Sequence, residues 1–500
     1  MELQRFFDFW NLREHPFQAE EARNDSVYNR MMGAAVTHPD FAKIYGDPSS
    51  PSTTIVFGEK GSGKTAMRLM IQSRIDEYNA DRKEGRVFLV CYDDLNQTLD
   101  RLAGVMRTKD RSKALQSLCL SDHQDAILAQ AVTDLLDSVL NSKDRSELKK
   151  RRKALKRMSL QKRMDFATLA LLYDQPRSGE SSERWRQLKR ILKVGTSWNR
   201  GAHSAMSITL GLVAVVGFVG WYFFDSQAWE FIVAVLFGSL GFLGSGFWWL
   251  ARSWRYGRLA RRLAKEVRIG QYPRDSMSRK LWDLNEERMA GQPLPEKGDQ
   301  DIRYDLTNRF VHVLKEIGFS SLVVLVDRID EPMMVNGEPE RMKLVLWPMM
   351  NNKFLQQQDI GIKMLLPVEM SQLLAGESSE FRRQARLDKQ NVVNPLRWTG
   401  ITLYDLCSSR FRNCRIEGAE TCALEDLFTD EVTRDDLVEA LDQMHQPRDA
   451  FKFLYAIIAD FCNNTSAEGT DFRIPKATLD FVRRTQSDRL VELYRGAGTA

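Results

Sequence analysis

Two uncharged apolar runs, 206–224 and 231–251, lie near the middle of the chain with only a short stretch between them. No other feature restricts the fold as strongly. Each run is about 19–21 residues, which at ~1.5 Å per helical residue spans ~30 Å, one hydrocarbon thickness. A buried helix of a soluble protein is the competing reading. Such helices rarely stay apolar around their whole circumference, and here two stand side by side. The pattern predicts a helical hairpin that crosses a membrane twice.

The flanks orient it. Residues 184–200 carry Arg184, Arg186, Lys189, Arg190, Lys193 and Arg200 without an acid, and 252–268 carry seven bases against the single Glu266. The intervening turn has Asp225 and Glu230 and no base. The positive-inside rule then puts both ends of the hairpin, and the N- and C-termini, in the cytoplasm, which predicts a two-span protein of the inner (cell) membrane. Trp221, Tyr222 and Trp229 fall near the outer boundary, and Trp248, Trp249 and Trp254 near the inner one, where interfacial anchors belong. Ala234, Gly238, Gly241, Gly244 and Gly246 permit close helix approach, either within the hairpin or to another copy. Neither span holds an ionisable residue, so no ion or proton path is indicated.

Outside the hairpin the chain reads as soluble protein. Its 500 residues are 28% charged and 43% hydrophobic, enough for two or three folded units. The net charge of +5 is too weak to argue for a nucleic-acid partner. Six cysteines show no CxxC spacing or zinc-like pairing with histidine, as expected of reduced thiols. "MELQRFFDFWNLREHPF" lacks an uninterrupted apolar core, so a cleaved signal is not expected.

"TTIVFGEKGSGKTAMRLMIQSRI" is a β-rich run, a glycine loop and a helix-favouring stretch. That is the setting the Walker A pattern requires. The loop is Gly58, Glu59, Lys60, Gly61, Ser62, Gly63, Lys64 and Thr65, followed by Ala66. Glycines let backbone N–H groups turn inward around phosphates. Lys64 is placed to reach the β- and γ-phosphates of a nucleotide such as ATP, and the Thr65 hydroxyl to ligate Mg²⁺.

A second magnesium ligand should end a buried strand. "SSLVVLVDRIDEP" supplies it: 322–326 is wholly apolar and Asp327 follows, where ligands bind in open parallel sheets. Arg328 occupies the next position, and Asp330 and Glu331 come after it. Glu331, or else Asp330, is the candidate to activate an attacking water; the alternative is that both acids simply begin a helix. Further strands are expected at 85–94, 361–370 and 391–401. The expected fold is therefore α/β: a P-loop NTPase parallel sheet with a helical insertion carrying the two-span hairpin, then a mostly helical lid. Boundaries are expected at 1–95 and 301–415 for the two halves of the sheet domain, 96–203 for a basic helical insertion, 204–251 for the hairpin, 252–300 for a juxtamembrane region and 416–500 for the lid or a winged domain.

Together these residues resemble the KAP family of P-loop NTPases, whose P-loop domain is split by paired membrane spans between Walker A and Walker B. "VLVDRIDE" also resembles the corresponding strand of STAND signalling ATPases. The resemblance implies an additional-strand core, Mg-ATP, a nucleotide-controlled switch and a homo-oligomer or partner protein. It also implies signalling, with defence against phage or plasmids as one such role. "HQPRDAFKFLYAIIADF" (445–461) looks like the sensor-2 segment of AAA+ and STAND proteins, which implies that Arg448 touches the γ-phosphate. The alternative is an ordinary Pro-started helix. "NLREHPF" (11–17) resembles the segment that borders adenine. Two positions depart from the pattern: Arg328 stands where an adjacent catalytic acid is common, and "LLPVE" ends in Glu369 rather than an Asn, Ser or Thr sensor.

The basic run 143–163 reads either as a solvated helix face or as a contact for anionic lipid headgroups. No stacking aromatics interleave it, and no specific nucleic acid is expected. Arg410, Arg412 and Arg415 are candidates for an arginine finger toward a neighbouring subunit; the alternative is that they are surface arginines. Three functions remain open: an ATPase or ATP-controlled switch, a membrane scaffold with a structural nucleotide, and an energising subunit for transport or nucleic-acid handling.

Overall fold

A computed structural model of the protein describes residues 3–18, 22–31, 37–106, 111–142, 144–176, 181–194, 200–223, 229–270, 274–284, 289–296, 299–418, 420, 422–465 and 471–497. The turn expected at 225–230 falls mostly outside them. The principal elements in chain order begin with α1 (Leu3–Trp10), β1 (Thr54–Gly58), α2 (Lys64–Ala80) and β2 (Arg86–Tyr92). Then come α3 (Leu120–Leu140), α4 (Arg145–Arg157), α5 (Leu160–Tyr173), α6 (Ser181–Leu192), α7 (Arg200–Phe223), α8 (Trp229–Glu266), α9 (Arg274–Leu284) and α10 (Asp301–Glu316). The chain ends with β3 (Phe319–Val326), β4 (Ile360–Pro367), β5 (Asn391–Val393), α11 (Gly400–Cys414), α12 (Arg434–Asp442), α13 (Pro447–Asn464) and α14 (Lys476–Ala497). Two units form: Met1–Asp93 with Ser321–Ala500, and Asp94–Ser320.

The first unit is built on a five-stranded sheet in the order β2-β3-β4-β1-β5. β1 pairs in parallel with β4 and β5, and β3 pairs in parallel with β4. β1 and β4 are buried at every position, and β3 at all but one, because they lie inside the sheet with both faces covered. β5 is three residues long and half-buried, as an edge strand should be. On α2, Met67, Met70, Ile71 and Ile75 recur at helical spacing and pack with Val56, Leu325 and Leu365. Each such side chain contributes about 1.5–3 kcal/mol by burial. A separate apolar cluster joins Phe6 and Trp10 of α1 to Phe411 of α11, Leu437 of α12 and Phe453 of α13. The chain thus leaves the sheet after β2 and rejoins it at β3, with the second unit in between.

In the second unit α3 buries residues around most of its circumference, a position polar groups can share only when partnered. Asp125 accepts from Tyr173 Oη at 2.7 Å and faces Arg303 at 3.4 Å. Arg184 pairs with Asp174 at 2.9 Å, and Arg268 with Asp122. The remaining helices include two that are long and apolar enough to span a membrane, α7 over Ala205–Phe223 and α8. Only 11% and 6% of their apolar windows are buried, so both helices present most of their apolar surface outward. They pack on each other through small residues. A Cβ at Gly238 would lie 2.6 Å from the Ala214 nitrogen, and one at Gly217 would lie 2.9 Å from Ala234 Cβ. Ser207 and Ser245 share a 3.0 Å hydrogen bond. Within-hairpin packing therefore accounts for Gly238 and, against Leu210, Gly241, whereas Gly244 and Gly246 face open space. At the end of the second apolar run, Arg252 stacks over Trp248 and Trp282 at 4.9 and 5.3 Å.

Candidate functional site

The site lies wholly within the first unit, at the C-terminal ends of its strands. β1 ends at Gly58, and the chain turns through 59–63 into α2. Gly61 and Gly63 have φ of +108° and +96°, a region that disfavours side chains. A Cβ on Gly61 would also press to 3.0 Å from Arg448 Cβ, and one on Gly58 to 2.5 Å from Ser62 Oγ. Close approach as well as chain reversal therefore requires glycine here.

Most of the loop's carbonyls are engaged, whereas three of its amides are not. Gly58 O and Glu59 O accept from Lys64 Nζ at 2.7 and 2.9 Å. Ser62 O accepts from Trp398 Nε1 at 2.9 Å, and Gly61 O from the Arg448 amide at 3.4 Å. The amides of Lys60, Gly61 and Gly63 have no acceptor among the described residues, and the first turn of α2, with Lys64, Thr65 and Ala66, adds its own orphan N–H groups. The result is a set of unengaged donors at a helix N-terminus, which favours an anion.

Across β4 from β1 stands the end of β3. Gly58 is in register with Pro367, and Val326 with Met364, so Asp327 emerges on the edge that carries the glycine loop. Asp327 is buried at 2% exposure. Its Oδ1 accepts the Arg328 amide at 3.0 Å, which Arg328 reaches from a left-handed backbone with φ of +62°. Its Oδ2 has no hydrogen-bond donor among the described residues; Arg68 Nε stands 3.7 Å away. Burial raises the carboxyl above its usual range, and Arg68 opposes that rise. Burial lowers the Lys64 ammonium, opposed by Asp330, Asp327 and Glu369. Lys64, Asp327, Asp330, Glu369 and Arg448 thus share one electrostatic neighbourhood. Glu331 is brought less far: half its side chain is exposed, and it pairs with Arg328 Nη1 at 3.0 Å. Burial nudges its carboxyl upward, and Arg328 counters.

Among the described residues, Ser62 Oγ, Asp327 Oδ2, Gln446 Oε1 and Arg448 Nε are buried without a hydrogen-bond partner. Each such atom costs about 1–3 kcal/mol, a cost that a polar ligand at the loop would relieve. The donor set fits a phosphate with a hard divalent cation, since it includes an unengaged carboxylate oxygen, the Thr65 hydroxyl, backbone amides and an ammonium. Among the described residues no three His, Cys, Asp or Glu gather as a metal site. A magnesium ion held chiefly through phosphates and one or two side chains needs no such group.

Sequence reasoning missed Arg68, Trp398 and His38. Arg68 lies four residues after Lys64, hence on the same face of α2; that spacing was the available signal. His38 Nε2 donates to Arg397 O at 2.7 Å, and the ring meets that of Trp398 edge-on, centroids 4.8 Å apart. The finger expectation fails for Arg410. It is buried and bound to Asp25 at 2.5 Å and Pro16 O at 2.9 Å, and so ties α11 to the N-terminal segment. The 11–17 segment packs on α13, His15 against Tyr455 and Phe17 against Phe451. Compared with protein-family models, curated proteins and solved structures, the chain gives no match.

Proposed function

We propose that the chain is a membrane-anchored P-loop NTPase of the KAP-like kind, binding Mg-ATP and acting as an ATPase or nucleotide-controlled switch. One observation carries this reading. The glycine loop, with its unengaged amides and Lys64, follows β1 while Asp327 follows β3, and β4 lies between them in the order β2-β3-β4-β1-β5. That interposed strand is what an additional-strand P-loop core requires. Gly58 through Ala66 would cradle the phosphates, with Lys64 on the β- and γ-oxygens and Arg448, whose amide already meets Gly61, approaching from α13. Thr65 and Asp327 would hold Mg²⁺, which supplies charge neutralisation on the phosphates. Lys64 stabilises phosphoryl charge, and Asp330 or Glu331 orients water. In this reading α7 and α8 cross the inner membrane with both termini cytoplasmic. Nucleotide occupancy would be read by a second copy or a partner protein, in signalling or defence.

A second reading is favoured by the Arg328–Glu331 pair: with Glu331 exposed and engaged, the site holds ATP without turnover and the protein is a scaffold. Steady-state ATP hydrolysis by the detergent-purified chain, beside Lys64→Ala and Glu331→Gln, tests both. Turnover abolished in both variants supports the ATPase. Nucleotide retained without turnover, and lost in Lys64→Ala, supports the scaffold. Retention by neither wild type nor variant refutes both.

A further inference from the structure

The edge that carries the candidate site holds a cation of its own. Arg68 projects from α2 one turn after Lys64 and is 4% exposed. Its Nη1 pairs with Asp93 Oδ2, and its Nε stands 3.7 Å from Asp327 Oδ2. Asp93 follows β2, and Asp327 follows β3, the neighbouring strand. Arg23 Nη2 adds a second contact to Asp93 at 3.0 Å. One guanidinium is therefore shared unequally between the carboxylates that end two adjacent strands, with the closer contact to Asp93. Arg68 Nε and Asp327 Oδ2 are both buried without a hydrogen bond among the described residues, so the Arg68–Asp327 approach is electrostatic and unfinished.

We propose that Arg68 and Asp93 are positioning residues that set how strongly Asp327 attracts a divalent cation, Arg68 as a competing positive charge and Asp93 as the anchor that holds it off. The inference rests on the NTPase reading above and deepens it. A guanidinium near a metal-ligating carboxylate opposes the ion through charge repulsion and by occupying the lone pair the ion needs. Asp93 keeps Arg68 from completing that hydrogen bond. Removing Arg68 therefore uncovers Asp327, whereas removing the charge of Asp93 releases Arg68 toward it. The two changes act in opposite directions on the same property, which loss of packing alone does not do.

The experiment titrates Mg²⁺ against retention of a fluorescent ATP analogue by the full-length, detergent-solubilised protein, with retention in EDTA as the baseline. Arg68→Gln is expected to lower the Mg²⁺ concentration for half-maximal retention by at least about fivefold, and Asp93→Asn to raise it by a similar factor. Arg68→Lys, which keeps the charge, should lie near wild type. A thermal melt of each variant checks folding, and Asp93→Glu replaces Asp93→Asn if that variant does not fold, with an expected midpoint near wild type. Shifts in the same direction for Arg68→Gln and Asp93→Asn, or no shift with retention intact, overturn the proposal, as does a shifted midpoint in Asp93→Glu. Failure of wild type to retain the analogue at any Mg²⁺ concentration instead overturns the NTPase reading, and this inference with it.

Discussion

Lys363 sits inside β4 in register with Thr54 and Leu325, 1% exposed, where an apolar residue would be expected. Its ammonium donates to Thr54 Oγ1 at 3.1 Å, and no carboxylate pairs with it among the described residues. Burial pushes its pKa from 10.5 down to about 8. That difference corresponds to ~3 kcal/mol spent on keeping a charge in the sheet at neutral pH. Between the two values the unfolded chain binds more protons than the folded one, so stability rises with pH through that window, and below it the cost is fully present. Lys363→Met keeps the volume and removes the charge. At pH 7 it should stabilise the first unit by about 2–3 kcal/mol, and at pH 9.5 the advantage should shrink by about 2 kcal/mol. Pulse proteolysis of the detergent-solubilised chain across a urea series reads the midpoint at each pH. An equal advantage at both pH values, or a lower midpoint in the variant, would refute the reasoning.

His15 gives the acid-side counterpart. It is buried, its Nδ1 accepts the Phe17 amide at 3.1 Å, and burial lowers its pKa to about 4. Its neutral form is favoured in the fold, so wild type should lose about 2 kcal/mol between pH 7 and 4.5 relative to His15→Phe, measured by the same urea midpoints. Gly61→Ala forces a side chain into a left-handed backbone and against Arg448; retention of a fluorescent ATP analogue should fall at least about tenfold. Cysteines replacing Ser207 and Ser245, whose hydroxyls are 3.0 Å apart, should cross-link on oxidation. Adding Gly238→Leu, which drives a side chain into the Ala214 backbone, should suppress the cross-link.

The legible parts were those whose physics is local. The run 322–326 had to be a buried strand because every residue in it is apolar, and the two long apolar helices announced themselves by length and absence of charge. Glycines in the loop could be read because positive φ leaves few alternatives, and Gly61 and Gly63 adopt it. What escaped notice depends on partners far away in sequence. Arg68 gains its meaning only when Asp93 and Asp327 arrive on neighbouring strands. Arg410 looked like a surface base because Asp25, which neutralises it, is separated by most of the chain. Lys363 was invisible for the opposite reason: a single lysine in an apolar run reads as a strand edge until the register buries it.

α8 is one unbroken helix of 38 residues, ~57 Å long at the usual rise. Its apolar part ends near 251, and beyond it Tyr256, Ala260 and Leu263 are buried, with Tyr256 against Trp282 of α9. With 231–251 in a bilayer, the same rod is both lipid-facing and part of a folded helical unit. Helices answer a change in bilayer thickness by tilting. A tilt of ~10° carries the far end of such a rod through roughly 10 Å, unless the helices gripping it resist. Membrane thickness and tension then become forces applied directly to the packing around Trp282, a lever whose short arm is in water.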